Sequence, residues 1–231
     1  MAAPTRLIRP ESDSPDAIGF VGYGDFGAAT VDLLRAGSPG PSLPPPAAGI
    51  GPADLMTGRP AAWVIVADHL DDDLAEEADD TAHRRGIPWL AVEAGHQRVT
   101  VGPLVVPGRG PCHGCFRRRR VQHDPRWPLT QALRAARTAD ESLRPNGFLP
   151  HQARITAGIV SLLLTSLAGG TARPGTVITL ELNRSLMRSD LVLACHGCAR
   201  CGGRVHHPEL STLLGFQGPE REHAEDVHLV G

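Results

Sequence analysis

The sequence predicts an α/β domain: a mostly parallel sheet with helices on both faces and an added antiparallel strand pair. Three observations predict it. Short apolar runs alternate with helical patterns, a glycine-rich turn joins the first run to the first helix, and two close-spaced cysteine pairs flank the last strands. The 231 residues suit one such domain, and 41% hydrophobic residues supply a sizeable core.

Residues 1–16 are polar and proline-bearing and read as a flexible tail. Ala17–Gly27 is a short apolar strand running into the glycines Gly22, Gly24 and Gly27. Phe26–Arg35 then places Phe26, Ala29 and Leu33 at helical spacing. Strand, G-x-G-x-x-G and helix in that order is the Rossmann-like context of a dinucleotide turn. The expected sequel, a second strand ending in an acidic residue, is missing. Gly37–Pro60 is instead dense in proline and glycine, which no central strand tolerates. The turn is therefore read as vestigial, a nucleotide fold without a working nucleotide site.

Ala61–Asp68 is a continuous apolar run of the kind that makes a buried parallel strand. Asp71–Arg85 starts acidic and ends basic, as the helix dipole favours, and Gly86 closes it. Ile87–Val92 is the next strand, and Val99–Val106 adds antiparallel structure before a Pro107-Gly108 turn. Arg117–Arg120 reads either as a solvated charge run at a helix start or as a contact for an acidic peptide. Asp124–Pro128 is a turn, and Leu129–Arg137 a helix. Leu149–Leu167 is a helix apolar over a broad surface, expected to be largely buried in the core or at a subunit contact. Thr176–Leu182 and Leu186–Leu193 form two strands joined by a turn at Asn183–Ser185. Residues 206–231 read as a second flexible polar tail, its histidines too scattered for a metal site.

All five cysteines fall in two windows, P-C-H-G-C at Cys112 and Cys115 and C-H-G-C-A-R-C at Cys195, Cys198 and Cys201. Two C-x-x-C hooks can supply the four thiolates of a closed zinc site. Cys112, Cys115, Cys198 and Cys201 are the favoured ligands, with Cys195 spare or a substitute. A redox dithiol is the rival reading, although that motif opens a helix in a thioredoxin-like setting. Covalent haem is excluded, because no histidine follows either pair.

The net charge of −2 provides no global field to recruit nucleic acid or an acidic membrane. All 23 basic residues are arginine, so neither a Walker lysine nor a Schiff-base lysine exists. Met1–Asp16 is no signal peptide, and the longest apolar run, Ile155–Ala168, is too short to span a bilayer. Cysteines grouped as metal hooks fit a reducing cytoplasm.

Gly102-Pro103, Pro107-Gly108, the Pro111–Cys115 hook and Asp124-Pro125-Arg126-Trp127-Pro128-Leu129, taken with the glycine turn and the second hook, resemble the ThiF-like (ubiquitin-activating-enzyme-like) superfamily. More narrowly they resemble its cyclodehydratase-associated branch, the precursor leader-peptide-binding proteins of ribosomal peptide natural product biosynthesis. The resemblance spans roughly residues 17–203. It implies a structural zinc and no catalytic residue. It also implies a partner role: docking a precursor peptide, activating a YcaO-type cyclodehydratase or related tailoring enzyme, or both. Two other readings stay open, an ATP-dependent adenylyltransferase acting on a peptide carboxylate and a structural homodimer subunit. Adenylating members need an acidic second strand and a lysine, which this chain lacks, so ATP is not expected. Branch members often carry an N-terminal winged-helix domain, which sixteen leading residues cannot hold. The recognition element is then expected on a separate protein, unless the chain only scaffolds a dimer.

Overall fold

A computed structural model describes residues 17–37, 56, 58–95, 97–143, 147–184 and 186–202. The two expected tails, residues 1–16 and 206–231, and most of the proline-rich stretch lie outside them. Among the described residues six strands make one sheet in sequence order: β1 (Ile18–Tyr23), β2 (Ala62–Ala67), β3 (Trp89–Ala94), β4 (Arg98–Val105), β5 (Thr176–Glu181) and β6 (Leu186–Leu191). The helices are α1 (Gly24–Gly37), α2 (Asp72–Arg85), α3 (His113–His123), α4 (Trp127–Ala139) and α5 (Pro150–Ala168).

The sheet has two halves. β1, β2 and β3 pair in parallel, with Ile18 beside Ala62 and Trp63 beside Trp89. β4, β5 and β6 continue it entirely in antiparallel pairing, so the antiparallel part extends beyond a single strand pair. The α/β class holds; Gly95–Gln97 and Asn183–Ser185 leave no length for a crossover helix at β3–β4 and β5–β6, whereas β4 and β5 pair antiparallel across the long segment that carries α3, α4 and α5.

Helices cover both faces. On one face Phe20, Val64, Val92 and Val101 pack against Phe26, Val31 and Leu34 of α1 and Ala153, Val160 and Leu163 of α5. On the other Val21, Trp63, Ile65 and Trp89 meet Ala75, Ala78 and Ala82 of α2. All six residues of β2 are buried, which explains the unbroken apolar run. The ends of α2 follow its sequence signals: Asp71 accepts from the Leu74 N–H at 2.7 Å, and Gly86 takes the left-handed conformation at φ 68°.

Two expectations need correcting. Trp127 and Pro128 belong to α4 rather than to a turn, because a proline's fixed φ suits the first helical turn, where its missing N–H costs nothing. α5 is not largely buried in the core of this chain, which leaves a subunit contact as the other half of that expectation. Its inward stripe meets α1 and the sheet, while Ile155 and Leu162 on the outer side remain exposed, since no described layer lies beyond it. Among the described residues no helix is long and apolar enough to cross a membrane.

Candidate metal centre and glycine turn

The first hook is aimed by the turn that ends β4. The Arg109 N–H bonds the Val106 carbonyl at 2.9 Å, and Gly108 and Gly110 take positive φ. Cys112 is the extended residue just before α3, so Cys115 follows inside the first helical turn. The second hook leaves β6 and folds into tight turns, with Cys198 N–H to Cys195 O at 3.1 Å and Gly202 N–H to Cys198 O at 2.7 Å. A side chain at Gly202 would collide with the Cys198 backbone.

The two hooks converge. The sulfurs of Cys112, Cys115, Cys198 and Cys201 all lie within 4.8 Å of one another, and all four residues are buried. Three separations are 3.7 Å (Cys112–Cys115), 3.6 Å (Cys112–Cys198) and 3.3 Å (Cys115–Cys201). A tetrahedron with Zn–S bonds of about 2.3 Å has edges of about 3.8 Å, so this donor set fits a tetrahedral ion. Backbone N–H groups also point at the sulfurs: Cys112 N–H to Cys201 Sγ at 3.4 Å and Cys195 N–H to Cys115 Sγ at 3.2 Å. Cys195 therefore stands behind the group and contributes its amide, while its own sulfur approaches the Cys115 carbonyl at 3.9 Å.

Ionisation of these thiols is uneven. Burial pushes Cys112 up, and pushes Cys201 up to about 12. Burial opposes ionisation at Cys198 too, but the N–H groups of Cys201 and Arg200 and the thiols of Cys115 and Cys112 prevail and draw it down to about 6. Four thiolates this close repel one another unless a cation sits among them. The cluster could thus hold a metal ion, with the shell closed by sulfur.

A polar clasp that sequence reasoning missed sits beside the sulfurs. Asp79 of α2, wholly buried, accepts from the Trp89 indole at 3.0 Å, from the His113 backbone N–H at 3.2 Å and from Arg200 at 2.6 Å. Arg200, which stands between the second pair of cysteines, also reaches Glu76 at 2.8 Å. One carboxylate thereby ties α2 and β3 to both hooks. An acidic residue within the Ala75, Ala78 and Ala82 stripe was the available signal. His113 packs against Trp89, and burial lowers its imidazole to about 4, so it is neutral at ordinary pH.

A second cluster holds α4, which buries none of its residues. Glu93 at the end of β3 receives Arg134 at 2.9 Å and Arg120 at 3.5 Å, with His69 3.8 Å away. Burial would raise the Glu93 carboxyl, but Arg134, Arg120 and His69 outweigh it and hold it below the usual carboxylate range. Arg134 also donates to the Leu70 carbonyl at 2.5 Å.

At the glycine turn a carboxylate of the chain itself stands close to the backbone. Gly22 and Gly27 are there for close packing: a Cβ on Gly22 would lie 2.7 Å from the Gly27 carbonyl oxygen, and one on Gly27 2.6 Å from that of Val66. Gly24, at φ 76°, faces the Asp68 carboxylate, which any side chain there would strike. Asp68 accepts the Gly27 N–H at 3.1 Å at the start of α1. Burial raises its carboxyl, and the N–H groups of Gly27, Phe26 and Asp25 work against that rise. The amides that would receive a phosphate thus already face an anion of the chain itself.

Two heterocyclases share this architecture. TruD superposes with a TM-score of 0.55 at 19% identity, covering 81% of this chain and 28% of its own. A heterocyclase in complex with substrate and cofactor gives a TM-score of 0.55 at 18% identity, covering 90% of this chain and 28% of its own. The likeness establishes the fold. That fold is the α/β architecture expected from the motifs. E. coli MccB with MccA is more distant, with a TM-score of 0.45 at 18% identity over 61% of this chain and 39% of its own. The chain thus spans well under half the length of each of these proteins. No family model matches the sequence, and no curated protein matches it.

Proposed function

We propose that this chain is a non-catalytic, cytoplasmic, zinc-bearing partner in the maturation of a ribosomally made peptide. It docks a precursor peptide and presents it to, or activates, a YcaO-type cyclodehydratase or a related tailoring enzyme. The carrying observation is the Asp68 carboxylate on the glycine turn. It leaves a nucleotide-type fold with its phosphate cradle occupied from within. The fold shared with two heterocyclases supports the setting.

Zinc is assigned to Cys112, Cys115, Cys198 and Cys201, on the strength of the four-sulfur donor set and its spacing. When bound, the ion supplies cross-linking and no open coordination position. The residues around it hold the hooks: Asp79 orients the first through the His113 N–H and the second through Arg200. The proposal includes a homodimer, with the outer side of α5, where Ile155 and Leu162 are exposed, as the surface a second copy would cover.

ATP–pyrophosphate exchange separates this reading from an adenylyltransferase. No exchange is expected with the precursor or with any peptide carboxylate. Exchange above background would replace the docking role with the enzymatic one. Co-precipitation of the chain with a precursor and cyclodehydratase encoded beside it tests the positive half.

A further inference from the structure

We infer that the precursor is seated in the groove between α3 and the neighbouring face of β4–β6, and that the seated segment is extended and acidic, with apolar residues between its carboxylates. This rests on the docking role above and names its surface. Over the parallel half that face is filled by α2, but over the antiparallel half it is open. The result is a groove of about 500 Å³, walled by Phe116 and Arg119 of α3 and floored by Arg98, Val177, Arg188 and Leu191.

Charge selects the occupant. Four arginines line the groove in a chain whose net charge is −2; Arg188 pairs with Asp190 at 2.7 Å and Arg120 with Glu93 at 3.5 Å, while Arg98 and Arg119 meet no carboxylate among the described residues. The positive field is therefore local placement and not overall composition. Arg98 is exposed. Arg119 bonds Gln122 and the Ala194 carbonyl through its terminal nitrogens, yet its buried Nε has no partner. Between the cations, Phe116, Val177 and Leu191 offer apolar contact.

The strand at the rim sets the conformation. Among the described residues β6 is the last strand of the sheet, pairs only with β5, and is exposed at every position. Its outer edge offers backbone donors and acceptors to an added strand. In such a strand alternate side chains turn to one face, which brings every second residue over the arginines.

The test uses the full zinc-loaded chain and a short fluorescein-labelled peptide of alternating glutamate and leucine, read by anisotropy. The wild type should bind it, with affinity falling as salt rises. Reversing both exposed cations, Arg98→Glu with Arg188→Glu, should weaken binding by about tenfold or more. Arg154→Glu, on α5 across the sheet, should leave it unchanged. Circular dichroism and zinc content confirm that each variant folds. Equal binding of the lysine–leucine counterpart, equal binding of a single-stranded oligonucleotide, or indifference to the double reversal would each overturn the assignment. The authentic precursor separates the two levels. If it still co-precipitates with the double variant, docking survives and this surface is wrong; if the wild type retains none, the docking role itself fails.

Discussion

The two halves of the sheet differ in what they leave available. In the parallel half β2 is buried at all six positions, helices close both faces, and the glycine turn is met by Asp68. In the antiparallel half β6 is exposed at all six positions, and arginines line an open groove. The ligand crevice of such a fold ordinarily lies at the ends of its parallel strands; there Asp68 faces the glycine turn, while the open groove lies on the antiparallel flank. On the proposed reading architecture and working surface separate: the first half would supply rigidity and the second half contact.

The sharpest way to break this division is to remove the cluster that ties the segment after β4 to the segment after β6. Cys112→Ser or Cys198→Ser should abolish stoichiometric zinc, seen by elemental analysis, and soluble yield with it, since such sites are worth on the order of 10 kcal/mol. Cys195→Ser should retain one equivalent, because only its amide faces the cluster. Next in size, Asp79→Ala strands the Arg200 guanidinium and the Trp89 indole, and should lower unfolding free energy by about 3–5 kcal/mol in urea titration.

Glu93→Gln should cost less, about 1–3 kcal/mol, because its ion pairs are partly exposed to solvent. Its pH dependence has a definite sign. The folded carboxyl lies below its unfolded value, so its stabilisation is complete above about pH 4.3 and is lost as pH falls through the lowered folded value. The stability gap between wild type and Glu93→Gln should therefore be constant from neutral to mildly acidic pH and shrink below it. The smallest effect on the monomer fold is expected from Leu162→Glu, within about 0.5 kcal/mol. Light scattering on that variant should show half the mass of the wild type.

Much of the scaffold was legible because local rules agreed with tertiary demands. The apolar run at Ala62–Ala67 admits only a doubly covered strand, and Asp71 and Gly86 mark both ends of α2. The cysteines were legible because their spacing is itself the chemistry. Asp68, Asp79 and Glu93 were not. Each is an ordinary acidic residue until the fold brings it a partner 10 to 121 positions away. Whether the outer side of α5 is covered was not legible, because periodicity registers apolarity, not whether a neighbour exists to cover it.

The sulfur group joins Cys112 to Cys198 across 86 positions, and α4, α5, β5 and β6 all lie inside that closed loop. During synthesis the parallel strands emerge first, so on the proposed zinc assignment the ion could be locked in only after the second hook leaves the ribosome. A chain released before residue 198 should accordingly hold zinc no more tightly than an isolated two-thiolate peptide, which would make ion capture a late step of assembly.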